Sequence, residues 1–209
     1  MNRIEHREEK WIFPFVEYSP KNKRDNMAVI IQLHGAGERG DGNEDLVLVD
    51  KHGFSNVMHE EEYDCIFIMP QCPKGQFWAG RVESVVKFIE QIIEEYNADK
   101  TRITLTGLSM GGFGTWFVAM ARPDLFAAIA PACGGGMAWN ASVLDMPVWA
   151  FHGDQDPIVT PMHSAEMVNK LQKLGKNVRY TVFEGVGHSL QTLTFTKELV
   201  HWLLEQRRS

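Results

Sequence analysis

Cysteine is scarce in this sequence. Cys65, Cys72 and Cys133 are its three cysteines among 209 residues. An odd and sparse set does not form the disulfide framework that small secreted domains use. The cysteine content therefore predicts a reducing compartment, and we expect a cytoplasmic protein.

The chain also lacks an excess of positive charge and any long apolar run. Its net charge is −6 and it carries no basic stripe, which argues against binding to a nucleic-acid backbone. Residues 1–10 contain no apolar segment of the kind that a signal peptide needs, and no later run is long enough to span a bilayer. We therefore expect no nucleic-acid partner and no membrane partner. No apolar stripe indicates a subunit interface, so the oligomeric state stays open.

Repeats and low-complexity tracts are missing as well. The chain is 44% hydrophobic and 23% charged, which is the composition of an ordinary globular protein. Its length is enough for one sizeable core and short for two. The sequence therefore predicts one domain, residues 1–209.

The most informative stretch present is residues 104–112, with the sequence TLTGLSMGG. It matches the G-x-S-x-G pattern of a nucleophile elbow, in which a serine stands at a tight turn between a strand and a helix. Gly107 and Gly111 occupy the two places where a side chain would clash with neighbouring backbone. A strand-like run, residues 102–106, precedes Ser109, and a helix-like run follows it. This context favours the elbow over a glycine-rich turn with an incidental serine.

Strand-like and helix-like runs alternate along the rest of the chain. This order predicts an α/β fold with a mostly parallel twisted sheet and helices on both faces. In such folds the sites lie at the carboxyl ends of the strands. The other predicted strands are residues 11–16, 27–33, 65–69, 126–130, 148–151 and 178–183. The other predicted helices are residues 43–59, 81–97 and 191–207, together with a helix that has Thr160 as its N-cap and ends at Gly175.

A serine nucleophile needs an adjacent base. Of the eight histidines, His188 stands in a glycine-rich loop after the last predicted strand, where its ring can reach the rim of the sheet. His34 and His152 end strands just before glycines. We interpret these two as residues that order their loops, although contact of either with substrate stays open. The other five histidines lie in polar or helical surroundings away from the predicted rim.

The base needs an orienting carboxylate, and the loop after residues 148–151 offers two. Asp154 stands close to Gly153 and is suited to hold its own turn by an Asx-type bond. Asp156 is therefore the predicted acid. The order Ser109, Asp156, His188 is the order found in α/β-hydrolases.

An oxyanion requires two backbone N–H donors. The N–H of Met110, next to the nucleophile, is the first candidate. The second should come from the loop His34-Gly35-Ala36-Gly37, with Ala36 preferred and Gly37 as the alternative. This loop does not follow the G-x-x-x-x-G-K-[ST] pattern, which argues against phosphate binding.

Together these features resemble the α/β-hydrolase superfamily, from about Val29 to the end of the chain. Residues 33–41 (LHGAGERGD) and 69–73 (MPQCP) with Trp78 resemble a narrower group. This group comprises small bacterial esterases of the carboxylesterase/phospholipase-like and predicted-peptidase (prolyl oligopeptidase-type) kinds, close to feruloyl and polyhydroxybutyrate-depolymerase-like esterases. The pattern His152-Gly153-x-x-Asp156-x-x-Val159 is similar to the acid motif of that group.

The resemblance implies an eight-stranded sheet and a Ser-Asp-His triad that needs no cofactor and no metal. It also implies ester hydrolysis through an acyl-enzyme. Because the chain is short for this fold, we expect one N-terminal strand to be missing.

Residues 133–145 are too few for the helical lid that many relatives insert there. We therefore expect no lid domain and an open cleft lined by Met110, Trp78 and Trp139, although both tryptophans fit a core position equally well. The sequence predicts a serine carboxylesterase acting on small-molecule short-chain or aryl esters. A peptidase or thioesterase on the same triad, and a non-catalytic hydrolase-like binding module, are the alternatives.

Overall fold

The computed structural model describes residues 1–208 and contains an eight-stranded sheet. The strand order is β1-β2-β4-β3-β5-β6-β7-β8. The strands are β1 (Asn2–His6), β2 (Phe15–Ser19), β3 (Ala28–Leu33), β4 (Cys65–Pro70), β5 (Ile103–Leu108), β6 (Ala128–Ala132), β7 (Val148–Gly153) and β8 (Val178–Phe183).

The sheet is mostly parallel, as the sequence predicts. β1 pairs antiparallel with β2, and β2 pairs antiparallel with β4, while β3 to β8 run parallel to one another. Val29 pairs with Ile103 and Leu33 pairs with Gly107, so β3 and β5 end side by side. The loops after the central strands therefore meet at one edge of the sheet.

Helices cover both faces of this sheet. The α-helices are α1 (Ser55–Met58), α2 (Val82–Glu95), α3 (Met110–Ala121), α4 (Met162–Lys173), α5 (Gln191–Thr194) and α6 (Lys197–Glu205). The 3₁₀ helices span Ala36–Glu38, Glu44–Asp50, Trp78–Gly80, Pro123–Leu125 and Ala138–Val143. Alternate residues of each strand point to opposite faces, so Val29 and Ile31 pack in one apolar cluster with α2, α3 and α4, while Ala28 and Ile30 pack in the other with α1 and α6. Among residues 1–208, no helix has both the length and the apolar character needed to cross a membrane.

The expectation of a missing N-terminal strand is wrong. β1 supplies the eighth strand, and its polar sequence, NRIEH, gives no apolar pattern because it lies at the edge with its first three residues exposed. The strand expected at residues 11–16 begins four residues later than expected. β2 begins at Phe15, directly after Pro14, and lies between β1 and β4.

Four further boundaries differ from the sequence expectations. Residues 43–59 form a 3₁₀ helix and the short α1 in place of one helix, and residues 191–207 divide into α5 and α6, with the Thr196 hydroxyl accepting from the Leu199 N–H. α4 begins after Pro161, which makes no side-chain cap, so Thr160 is not the N-cap. The strand expected at residues 126–130 is β6, two residues further on.

Candidate active site

Ser109 lies at the turn between β5 and α3 with a strained backbone. Its φ is +57° and its ψ is −115°, a conformation that residues other than glycine rarely adopt. The Ser109 N–H donates to the carbonyl oxygen of Ala132 at 2.9 Å, which fixes the turn to β6. The serine is therefore held in a conformation that the surrounding structure enforces.

The two glycines of the elbow are required by close backbone approach. A Cβ atom on Gly107 would lie 2.4 Å from the carbonyl oxygen of Gly111, and one on Gly111 would lie 1.9 Å from that of Leu33. Both distances are too short for a carbon–oxygen contact. The elbow therefore packs against the end of β3 in a way that only glycine allows at these positions.

Ser109, His188 and Asp156 form one line of hydrogen bonds. The Ser109 Oγ lies 2.9 Å from His188 Nε2, and His188 Nδ1 lies 2.7 Å from Asp156 Oδ2. The three residues come from the loops after β5, β8 and β7, and they meet although 79 positions separate the serine from the histidine. Because a carboxylate only accepts, Nδ1–H donates to Asp156, which leaves Nε2 free to accept the serine proton.

The acid is buried and well supplied with donors. Asp156 Oδ1 accepts from the N–H groups of Ile158 and Val159, both at 2.9 Å. Burial by itself would raise the pKa of the Asp156 carboxyl, but the hydrogen bonds from His188 and from these amides hold that pKa below its ordinary value. Asp154 instead accepts from the Gly185 N–H at 2.7 Å, which joins two loops.

Met110 and Ala36 each present a free backbone donor. Each is the first residue of a helix, α3 for Met110 and the 3₁₀ helix Ala36–Glu38 for Ala36. A first-turn N–H has no acceptor within its own helix, and neither N–H donates to another group within residues 1–208. Both are therefore available to an anionic oxygen.

His34 fixes the direction of the Ala36 N–H. Its Nε2 accepts from the Cys72 N–H at 2.9 Å, so its Nδ1–H donates to the Gly35 carbonyl at 2.6 Å. The carbonyl and the N–H of one trans peptide point in opposite directions. Because the Gly35 carbonyl points toward the buried His34 ring, the Ala36 N–H points away from that ring. Burial lowers the pKa of His34 to about 4, which keeps the ring neutral.

Comparison with known proteins identifies the family of this chain. The model of the dienelactone hydrolase family matches residues 70–194, more than half of the chain. The chain belongs to the dienelactone hydrolase family. This family is part of the α/β-hydrolase superfamily, so the resemblance seen in the sequence is confirmed at that level.

Esterases are among the relatives of this family member. Probable acetylxylan esterase A of Aspergillus flavus is 28% identical over 162 residues, which are 74% of this chain and 53% of that protein. The chain thus spans about half the length of that curated relative. A crystal structure of a thermostable esterase has a TM-score of 0.81 and 32% identity to this chain, and the match covers 99% of this chain and 63% of that one. The acetyl xylan esterase from Aspergillus awamori has a TM-score of 0.73 at 16% identity, over 97% of this chain and 99% of its own, and shows the shared α/β-hydrolase fold.

Trp78 does not line an open cleft in this dienelactone hydrolase family member, so that prediction is wrong. Its side chain is fully buried, its Nε1–H donates to the His34 carbonyl at 3.0 Å, and its ring packs edge-on against the His34 ring. The indole therefore supports the loop that carries Ala36. The Met110 side chain is also buried, so this residue offers its backbone alone.

The structure gives no support to Trp139 as a substrate contact. Its ring is 77% exposed and borders a depression formed with Glu166, Asn169 and Lys173 of α4, not with any member of the triad. Gly37 lies beside Ala36 and is exposed, and a Cβ added to it would meet nothing within 4 Å. The position of Gly37 is therefore open to a substrate, as the sequence allows.

The sequence analysis did not single out Phe77, an exposed aromatic residue that is linked to Ala36 through Arg39. Its ring is 55% exposed, and the Arg39 guanidinium lies 5.0 Å from its centroid. Arg39 in turn donates from Nε to the Ala36 carbonyl at 2.8 Å. The sequence carries no signal for this residue, because the pair Phe77-Trp78 does not reveal which of its two rings the fold buries.

Cys133 faces the acid from the end of β6. Its thiol, an oxygen of Asp156 and a nitrogen of His188 lie within 4.8 Å of one another, the one group in residues 1–208 with a spacing that suits a metal ion. Burial and the nearby Asp156 carboxylate raise the pKa of the Cys133 thiol, which keeps its proton on sulfur. The protonated Cys133 thiol can donate to the Asp156 carboxylate.

Proposed function

We propose that this chain is a serine esterase that hydrolyses small carboxylic esters through an acyl-enzyme. The observation that carries the proposal is the unbroken line Ser109–His188–Asp156, with contacts of 2.9 and 2.7 Å, at the carboxyl edge of the sheet. Membership of the dienelactone hydrolase family and likeness to esterases support the same reaction class.

In the proposed mechanism Ser109 attacks the ester carbonyl while His188 Nε2 takes its proton. Asp156 holds the imidazole in the required tautomer and stabilises the imidazolium that forms. The N–H groups of Met110 and Ala36 bind the negative oxygen of the tetrahedral intermediate. His188 then protonates the leaving alcohol, and water attacks the acyl-enzyme by the same route in reverse.

We propose short acyl or aryl esters as substrates. Residues 133–145 contain the 3₁₀ helix Ala138–Val143 and no α-helix, so this segment does not supply a helical lid. Ala36 and Gly37 are exposed, which is consistent with an open approach to Ser109. Likeness to proteins named acetylxylan esterase adds acetyl esters of carbohydrates to the substrates worth testing.

The remaining expectations stay proposals. A cytoplasmic location, a single domain over residues 1–209, and a small-molecule ester as the partner all follow from the sequence. One continuous sheet in residues 1–208 is consistent with a single domain. Nothing in the proposed mechanism requires a metal or another cofactor.

The test is turnover of a substrate panel by the wild type and by Ser109→Ala. The panel holds p-nitrophenyl acetate, butyrate and octanoate, methyl ferulate, an acetylated xylo-oligosaccharide, an acyl thioester and a proline-containing peptide amide. We expect hydrolysis of the short or aryl esters, lost in Ser109→Ala. Preference for octanoate over acetate would contradict the open cleft, and preference for the thioester or the peptide would move the function to those classes.

Covalent labelling by a fluorophosphonate separates a catalyst from a binding module. The reagent is expected to modify the wild type at Ser109 and to leave Ser109→Ala unmodified. A wild type that neither reacts with the reagent nor turns over any substrate would favour a hydrolase-like binding module.

A further inference from the structure

His152 is a buried histidine that the proposed mechanism does not use. It lies in β7, four positions before Asp156, and its side chain is fully buried. Its Nε2 lies 2.8 Å from the Val159 carbonyl oxygen, and its Nδ1 lies 2.7 Å from the Ser164 hydroxyl. The ring therefore bridges the loop that carries the acid and the first turns of α4.

The partners of His152 determine its protons. The Val159 carbonyl only accepts, so Nε2 carries a hydrogen. The Ser164 hydroxyl lies 2.7 Å from Nδ1 and 2.8 Å from the Gly134 carbonyl, and its single proton can serve only one of them. Burial lowers the pKa of His152, which favours the neutral ring with its hydrogen on Nε2.

The same short loop joins His152 to the catalytic acid. Val159 donates its N–H to Asp156 Oδ1 at 2.9 Å, and its carbonyl accepts from His152. The Nε2 of His152 also lies 3.4 Å from Asp156 Oδ2, the oxygen that accepts from His188. His152 thus donates to Val159, whose N–H donates to Oδ1 of Asp156, and the Nε2 of His152 lies beside Oδ2 of the same carboxylate.

We propose that His152 is a positioning residue for Asp156, acting through its Nε2–H on the Val159 carbonyl. The proposal rests on the proposed function, because it assigns Asp156 the orienting role in an esterase triad. The neutral ring fixes the 156–159 turn, so that the carboxylate meets His188 at the distance and angle needed for proton transfer.

The neutral state of His152 is part of this role. Three titratable side chains face Asp156, namely His188 from the loop after β8, His152 from β7 and Cys133 from the end of β6. A proton added to His152 would place a cation 3.4 Å from Asp156 Oδ2, where it would compete with His188 for the carboxylate charge. His188 would then be a weaker base.

Two substitutions separate positioning from packing. The side-chain amide of glutamine reaches about as far as Nε2, whereas that of asparagine reaches about as far as Nδ1. His152→Gln therefore keeps a donor for Val159, and His152→Asn removes it. We expect His152→Asn to lower kcat on p-nitrophenyl acetate by about 10²-fold, since a misplacement of about 1 Å costs that much, with KM changed less than about threefold. His152→Gln should stay within about fivefold of the wild type.

The pH profile distinguishes this role from general support of the fold. Loss of a well-placed carboxylate weakens His188 as a base, so the acidic limb of kcat/KM should move to lower pH in His152→Asn. A purely structural role would lower the folded fraction without moving that limb. Thermal unfolding of each variant reports the folded fraction directly.

An NMR measurement on the protein without substrate tests the inference even if the protein hydrolyses no ester. The proton between His188 Nδ1 and Asp156 gives a low-field NMR resonance, which should persist in His152→Gln and shift or broaden in His152→Asn. If the wild type hydrolyses no ester, the proposed function fails while this resonance still tests the positioning role. An unchanged resonance in folded His152→Asn would overturn the inference, as would loss of both resonance and activity in folded His152→Gln.

Discussion

Two histidine–carboxylate pairs of similar geometry lie in different parts of this sheet. His188 and Asp156 meet at 2.7 Å at the carboxyl edge of the parallel strands. His6 and Glu17 meet at 2.9 Å where the antiparallel strands β1 and β2 pack against α2. Both carboxylates are buried, so burial and pairing do not distinguish a site from a structural contact.

The two pairs differ in what surrounds them. The second nitrogen of His188 faces Ser109 on its strained turn, and the ring is partly exposed. The second nitrogen of His6 lies 3.8 Å from another carboxylate, that of Glu8. The His6–Glu17 pair therefore has no nucleophile to activate.

Glu17 is also saturated with donors. It accepts from the Tyr96 hydroxyl at 2.6 Å and from Lys23 at 2.9 Å, in addition to His6. These bonds join β2 to α2 and close the N-terminal edge of the fold. The comparison teaches that the partner beyond the imidazole decides whether such a pair can do chemistry.

Substitution of each histidine by alanine should affect a different property, turnover for His188 and stability for His6. His188→Ala removes the base, and we expect kcat to fall by about 10⁴-fold or more, as when a triad histidine is lost. The free energy of unfolding should change little, because the ring is partly exposed. Ester turnover and thermal unfolding check both statements, and an active His188→Ala would contradict the mechanism.

His6→Ala is the matched variant at the other pair. It leaves the buried Glu17 carboxylate with one donor fewer, which should lower the free energy of unfolding by about 1–3 kcal/mol. Turnover per folded molecule should equal that of the wild type, since nothing at β1 touches Ser109. A change in kcat without a change in stability would show that the two pairs are not separate.

The same contrast explains what the sequence could predict. Ser109, Asp156 and His188 could be predicted from the sequence, because each follows a strand and the elbow has a local glycine pattern. The His6–Glu17 pair was not, because it depends on β1, whose polar residues give no strand signal in isolation. Phe77 and Trp78 show a second limit, since neighbouring aromatic residues do not reveal which of them the fold buries.

Low pH should also affect the two regions differently, because Glu17 stabilises the N-terminal edge only while it is ionised. Burial would raise the pKa of Glu17, but its donors, His6 first, lower that pKa to about 2. A carboxyl with a depressed folded pKa stabilises the protein above its unfolded pKa, and this stabilisation is lost as the pH falls. We therefore expect it to be complete above about pH 4.5 and to vanish as the pH approaches 2.

Glu17→Gln provides the test of that acid dependence. The amide does not titrate, so the variant should be less stable at neutral pH and lose less of its stability between about pH 4.5 and pH 2. Urea unfolding at a series of pH values measures this difference. An equal change of the unfolding free energy with pH in the wild type and in Glu17→Gln would show that Glu17 titrates normally and that other contacts stabilise the β1–β2 edge.

The smallest expected effect concerns substrate contact at the rim. Phe77 is exposed, and Arg39 lies against its ring and donates to the carbonyl of Ala36, so the ring stands near the loop that carries the proposed oxyanion donor. Phe77→Ala should raise KM for methyl ferulate severalfold, about 1 kcal/mol of lost ring contact, and leave p-nitrophenyl acetate nearly unaffected. Trp139→Ala is the matched comparison, because that residue is also exposed, to an even larger fraction, but lies against α4. A rise in KM for Trp139→Ala alone would restore the cleft that the sequence first indicated and would remove Phe77 from the site.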